Sequence, residues 1–331
     1  MKYFKNNYKK MYMPTLFLTI VGIIIYTLIP LFSSTYDNSS WNMINIEGLS
    51  IYLLVISVFV PIYEYKVLKS KRGADLYYSL PLSKSRLNLQ IYLKGLIQIV
   101  VSFIAVFILT TLVYIIKDYG LNYFYLFLLF ITSLIGVISL YSFNVFIFSK
   151  ANNIIDGIIF VGIYLVISLL VLFSLDVIFA FNIKFKWIQF SPLNLIFGNN
   201  SYFENKLKYI EVNFFLSFMD YFMFIFWSLL SLSLGALSIL DNKNTKPENL
   251  MEKSNTYFGY TTLVPIITFT LVNISGLTLD ESFSIVILLI ILFAAYVLYV
   301  IYERSFKIEP KNILITLGVA ILAIILNVIL K

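Results

Sequence analysis

Apolar runs about as long as a bilayer is thick alternate with short polar stretches along the whole chain. In order, they fall at about 13–33, 49–65, 91–116, 122–148, 154–181, 215–239, 257–276, 282–302 and 312–330. A helix needs about 20 predominantly apolar residues to cross the hydrocarbon core. The pattern therefore predicts an all-α, polytopic helical membrane protein. The runs number nine, and the fifth and seventh border ambiguous segments, so the predicted bundle has about eight to nine transmembrane helices. The turn KDYGLN between the third and fourth runs is short, which makes those two helices antiparallel neighbours.

The stretches between runs divide the chain further. Residues 1–12 are basic and aromatic and read as an N-terminal interfacial segment. Residues 13–240 form a six-helix core, carrying an inward loop at 66–90 and an extracellular or re-entrant segment at 182–213. That segment is aromatic, contains four lysines, and is broken by Pro192 and Gly198. A gate, an outer reservoir or a plain cap on the bundle are all open for it. Residues 241–256 are a polar linker, and 257–331 form a C-terminal group of two to three helices.

Composition narrows the chemistry. Of 331 residues, 60% are hydrophobic and 12% charged, too little charge to cover a soluble domain of this size. There is no Cys and no His, which removes disulfides, thiolate or imidazole metal sites, and Ser–His or Cys–His catalysis. No metal site, bound cofactor or catalytic residue is expected. The net charge of +7 belongs to topology and not to nucleic acid, because the basic residues gather beside the apolar runs. With the N terminus cytoplasmic, 18 of the 24 basic residues fall inside or at the inner boundary. The first run, preceded by Lys2, Lys5, Lys9 and Lys10, reads as a retained span of a multi-pass cell-membrane protein.

The densest basic loop is Lys66 to Arg86, with six basic residues against one acid, Asp75. Gly73 to Leu80 can form two helical turns, with Leu76 and Leu80 on one face and Tyr77 beside it. Asp75 suits the N-terminal end of that helix and Pro81 ends it. Ser83 can cap a second helix that runs through Arg86 into the third span. An ordered helix of this kind can pass force between proteins. It can equally seat Tyr77 and Tyr78 among lipid headgroups, with the basic residues on anionic lipid.

The run ADLYYSLPLSKSRL resembles the cytoplasmic signature of permease subunits of ABC-2-type exporters from Gram-positive bacteria. The matching residues are Asp75, Ser79, Leu80, Pro81, Leu82, Ser83 and Arg86. Tyr78 stands where many relatives carry His. A looser likeness lies in the linker at Asn242 to Lys253, through Lys246, Glu248 and Glu252. The resemblance implies a permease without an ATPase site of its own, in keeping with the missing phosphate-loop motif. ATP and Mg would sit on two copies of a separate ATP-binding subunit. That subunit would receive a coupling helix framed by Lys71, Arg72, Asp75, Leu76, Tyr77, Ser79, Leu80, Pro81, Leu82 and Arg86. A second permease, identical or paralogous, would complete the complex. The family includes exporters of antimicrobial and cytolytic peptides and of drugs, so an amphipathic peptide or drug-like substrate is implied.

Four acids lie within the apolar runs. Glu64 and Asp156 fall near inner ends, Asp176 and Asp220 near outer ends. Each is a candidate for a pathway or a pairing, or is a boundary residue at headgroup depth. Glu64 has Val67 and Leu68 three and four positions on, so any partner must come from another span, water or headgroups. The alternatives to a permease are a secondary transporter, a membrane enzyme, or a non-transporting immunity or structural subunit.

Overall fold

The computed structural model describes residues 11–28, 46–71, 73, 75, 79, 83–116, 123–179, 190–198, 214–241, 252, 254, 256–275 and 282–330. Among them the regular elements are helical. They are α1 (Tyr12–Gly22, continuing as a π-helical turn Ile23–Leu28), α2 (Ile46–Tyr65, followed by a 3-10 turn Lys66–Lys69) and α3 (Lys84–Ile116). Then come α4 (Tyr123–Lys150), α5 (Ile154–Phe179), a 3-10 turn Pro192–Leu195 and α6 (Phe214–Asp241). The last three are α7 (Tyr260–Ile274), α8 (Ser282–Glu303) and α9 (Pro310–Leu330). Seven of these are long and apolar enough to cross a membrane, and Tyr12–Leu28 and Tyr260–Ile274 are shorter apolar helices. The protein is an all-α, polytopic membrane bundle.

Its chain divides into two compact units. One holds residues 1–67, 76–146 and 192–245; the other holds 68–75, 147–191 and 246–331. In the first, α3 packs against α1, α2 and α6. Its polarity is inverted relative to a soluble helix. Asn88, Gln98, Ser102 and Thr110 are buried, whereas Leu89, Leu93, Ile97, Val101, Ile108 and Leu112 face outward. Lipid takes the apolar face, and side chains that need hydrogen bonds turn to other helices. Thr110 and Thr27 share one such bond across 2.7 Å.

In the second unit, α7 packs against α5, α8 and α9. It has 15 residues, about 22 Å at 1.5 Å per residue, less than the roughly 30 Å hydrocarbon core. Val272 on α7, Ile291 on α8, and Ala320 and Ala323 on α9 form the buried centre. Asn327 Nδ2 donates to the Val272 carbonyl at 3.3 Å. At the α8–α9 turn, both Glu303 carboxylate oxygens accept from the Glu309 amide at 3.0 Å, and one accepts from Asn312 Nδ2 at 3.1 Å. A carboxylate thus covers the Glu309 amide, one that the start of α9 leaves open.

Candidate functional site

The two helices that flank the basic loop are joined at its base by a buried cluster. Glu64 lies in the last turn of α2, and Lys94 and Gln98 lie one turn apart on α3. Lys94 Nζ is 2.7 Å from Glu64 Oε2, with side chains 17% and 4% exposed. Gln98 Nε2 donates to Glu64 Oε1 at 3.0 Å. Both carboxylate oxygens are therefore engaged, one by a cation and one by an amide. The partner of Glu64 comes from another span. Lys94 carries a long aliphatic stem, so its charge reaches the carboxylate while the stem stays in apolar surroundings.

Two hydrogen-bonded tyrosines, Tyr92 and Tyr141, lie beside this pair. Tyr141 donates to the Tyr92 carbonyl at 3.0 Å, and the Tyr92 hydroxyl shares a 2.7 Å bond with Ser142. The two rings stand 5.3 Å apart. One turn deeper in α2, Pro61 has no amide hydrogen to give the carbonyl of Ser57, four residues earlier. Asn144 Nδ2 supplies that donor from α4 at 2.9 Å. In a bilayer a carbonyl freed by proline needs such a neighbour, since no water is at hand.

The loop's exit from α2 is anchored within the second unit. Lys69 is buried, and its Nζ donates to the Ser149 carbonyl at 2.9 Å and to the Ala151 carbonyl. Carbonyls at the end of a helix have no intrahelical partner and carry the negative end of its dipole, so an ammonium group suits them. Beyond this anchor Lys71, Asp75, Ser79 and Arg86 are exposed. Gly73 and Asp75 are helical, and the Gly73 amide donates to Ser70 Oγ at 3.3 Å. Arg72, Leu76, Tyr77, Leu80, Pro81 and Leu82 lie outside the described residues, and so does most of the helix expected over Gly73 to Leu80. The second expected helix is α3. It begins directly after Ser83, whose carbonyl accepts from the Leu87 amide at 3.1 Å, and it runs through Arg86 into the span.

The other acids sit apart from the Glu64 cluster in sequence and setting. Asp156, 3% exposed in the first turn of α5, accepts from Ser254 Oγ at 2.6 Å and from the Tyr260 hydroxyl at 3.1 Å. Ser254 Oγ in turn accepts from the Asn152 amide at 2.9 Å. Asp156 thereby ties the entry of α5 to the linker's end and to the start of α7. Asp220 is buried on α6. Asp176 lies near the end of α5, and its side chain is outside the described residues. Among the described residues no three His, Cys, Asp or Glu side chains gather where a metal ion could be held.

Sequence reasoning singled out Glu64 and missed Lys94, Gln98, Lys69 and Asn144. The signal for the first two was a polar stripe that enters and continues along the third run. Asn88, Gln98, Ser102 and Thr110 recur near helical spacing, with Lys94 one turn from Gln98. No protein-family model, curated protein or solved structure matches the chain.

Proposed function

We propose that this chain is the membrane permease subunit of an ATP-driven exporter of ABC-2 type. A separate ATP-binding subunit, present in two copies, holds ATP and Mg. A second permease, identical or paralogous, completes the pathway. The cargo is an amphipathic peptide or a drug-like molecule. In this reading the N terminus and the loop at 66–86 face the cytoplasm, where the positive-inside bias puts them.

The observation that carries the reading is the Glu64–Lys94–Gln98 cluster. It clamps α2 to α3 directly above the basic loop that joins them. A loop on independent stems absorbs a push by bending. A loop whose stems are locked by a buried ion pair passes the push to both helices as one body. ATP-driven closure of the partner would then reach the spans through 66–86. Exposed Lys71 and Arg86 supply charge for docking on an acidic rim.

The test is co-expression with the candidate ATP-binding subunit and ATP hydrolysis by the purified complex in lipid. Charge reversal at Lys71, Arg72 and Arg86 together with Leu80→Asp abolishes co-purification and ATPase activity. Unchanged association sinks the docking assignment. Glu64→Gln with Lys94→Met leaves association intact and lowers stimulation by amphipathic peptides, which separates transmission from docking. A buried carboxylate also suits a secondary transporter. Gradient-driven uptake by the chain alone, without ATP, establishes that reading in place of the exporter.

A further inference from the structure

We infer that the turn joining α8 to α9 binds one anionic phospholipid. Lys307 and Lys311 take its phosphate, Phe306 sits among the headgroups, and an acyl chain follows the outward stripe of α8. The site is independent of the transport assignment.

Both α8 and α9 are long and apolar enough to cross a membrane. Residues 304–309 join the end of one to the start of the other. The turn therefore lies at a membrane boundary, where aromatic and basic side chains suit the headgroup layer. Its backbone is held from several sides. Arg304 has a φ of 54°, a left-handed conformation that a residue with a Cβ keeps only where its surroundings impose it. Its Nη2 donates to the Glu252 carbonyl at 3.2 Å. Ser305 Oγ donates to the Lys307 carbonyl at 2.8 Å, and the Tyr296 hydroxyl donates to the Phe306 carbonyl at 3.2 Å. The Glu309 amide is held by Glu303 at 3.0 Å.

This fixed backbone presents an aromatic ring and a basic surface. Phe306 is 83% exposed. Arg304, Lys307 and Lys311 are exposed too, against two exposed acids, Glu309 in the turn and Glu252 beside Arg304. Glu303 is buried and its carboxylate is already occupied. The patch is thus net positive, and basic residues near a membrane surface attract anionic lipid. Tyr296, bonded to the Phe306 carbonyl, continues the surface into the span. Phe293 and Leu289, three and seven positions before it on the same face of α8, are 67% and 61% exposed. A free anion would use the lysines alone, and a soluble protein would leave the α8 stripe untouched. A phospholipid engages the lysines, the boundary ring and the stripe together.

The test uses the full chain purified in neutral detergent, with native mass spectrometry counting bound lipid as dioleoyl-phosphatidylglycerol or dioleoyl-phosphatidylcholine is added. The natural chain prefers phosphatidylglycerol. Each lysine contributes about fivefold, so Lys307→Gln with Lys311→Gln lowers phosphatidylglycerol affinity about 25-fold and leaves phosphatidylcholine affinity unchanged. Unchanged preference in that variant overturns the site. An equal loss from Lys2→Gln with Lys5→Gln, which removes the same charge elsewhere, overturns it as well. Glycerol phosphate that displaces the lipid at equal concentration makes this a plain anion site and overturns the lipid assignment. A double variant that keeps its phosphatidylglycerol but loses the candidate ATP-binding subunit makes the turn a protein dock, with the same consequence. The natural chain has no cysteine, so bimane on Phe293→Cys reports the acyl chain without background in nanodiscs. Phosphatidylglycerol brominated on its acyl chains quenches it more strongly than brominated phosphatidylcholine, and the Lys307→Gln and Lys311→Gln changes abolish the difference. Equal quenching by the two lipids overturns the acyl-chain placement.

Discussion

Removing one member of the Glu64–Lys94 pair should cost far more than removing both. At 2.7 Å the mutual attraction is ~6 kcal/mol for an effective dielectric of 20. Desolvation of two ions offsets most of that, since each loses several kcal/mol on leaving water. The pair therefore adds little net stability, but each charge needs the other. Lys94→Met keeps the stem's volume and strands Glu64 with only the Gln98 amide. The expected loss is about 3–5 kcal/mol. Glu64→Gln strands Lys94, which is 17% exposed and reaches water more readily, so its loss falls at about the lower end of that range. The double variant has no stranded charge and recovers to within about 1–2 kcal/mol of the natural protein. A double-mutant cycle by SDS titration in mixed micelles, followed by tryptophan fluorescence, measures the coupling. The expected coupling, the two single losses less that of the double variant, is about 4–7 kcal/mol. A coupling under about 0.5 kcal/mol would refute the clamp, because two surface charges behave that way.

The same accounting applies at three other joints. Asn144→Leu uncovers the Ser57 carbonyl and costs about 1–3 kcal/mol. In a Pro61→Ala background the new amide at 61 reaches that carbonyl, so the Asn144→Leu cost falls by about half or more; an unchanged cost refutes the compensation. Lys69→Met removes the charged donor to the Ser149 and Ala151 carbonyls and costs about 2–3 kcal/mol, read as faster hydrogen exchange at the end of α4. Ser254→Ala breaks the bonds to Asp156 and to the Asn152 amide, for about 1.5–3 kcal/mol. Tyr260→Phe acts on the same carboxylate, so the two losses combine to less than additive or more than additive values, and strict additivity refutes a shared joint.

The spans were legible in the sequence because lipid imposes an average and not a pattern. Any helix crossing hydrocarbon must be apolar over its whole length, so a run at 154–181 becomes Ile154–Phe179 and one at 282–302 becomes Ser282–Glu303. The exceptions have local causes. The apolar run at 91–116 leaves out the first two turns of α3, Lys84–Gln90, because polar residues can continue a helix beyond the hydrocarbon; there the capping signal at Ser83 marks the start instead. The same averaging hides the interior. In a soluble helix, apolar periodicity marks the core; here apolar residues lie on every face, and the outward ones, such as Ile97 and Val101, are as hydrophobic as the buried Ile99 and Val106. Only the polar minority carries directional information. A lone acid such as Glu64 announces that a partner exists but not where, since Lys94 lies 30 residues on and inside an apolar run. Pro61 likewise demands a donor for Ser57, and the sequence cannot say that Asn144, 87 residues from Ser57, provides it. The readable unit in such a chain is therefore the polar stripe. Asn88, Gln98, Ser102 and Thr110 on α3, and Asp220, Ser228, Ser231 and Ser238 on α6, are all buried. Each stripe identifies a face that meets protein before any contact is known, whereas a lone hydroxyl such as Ser233 can stay outward by donating to its own helix, at the Leu230 carbonyl.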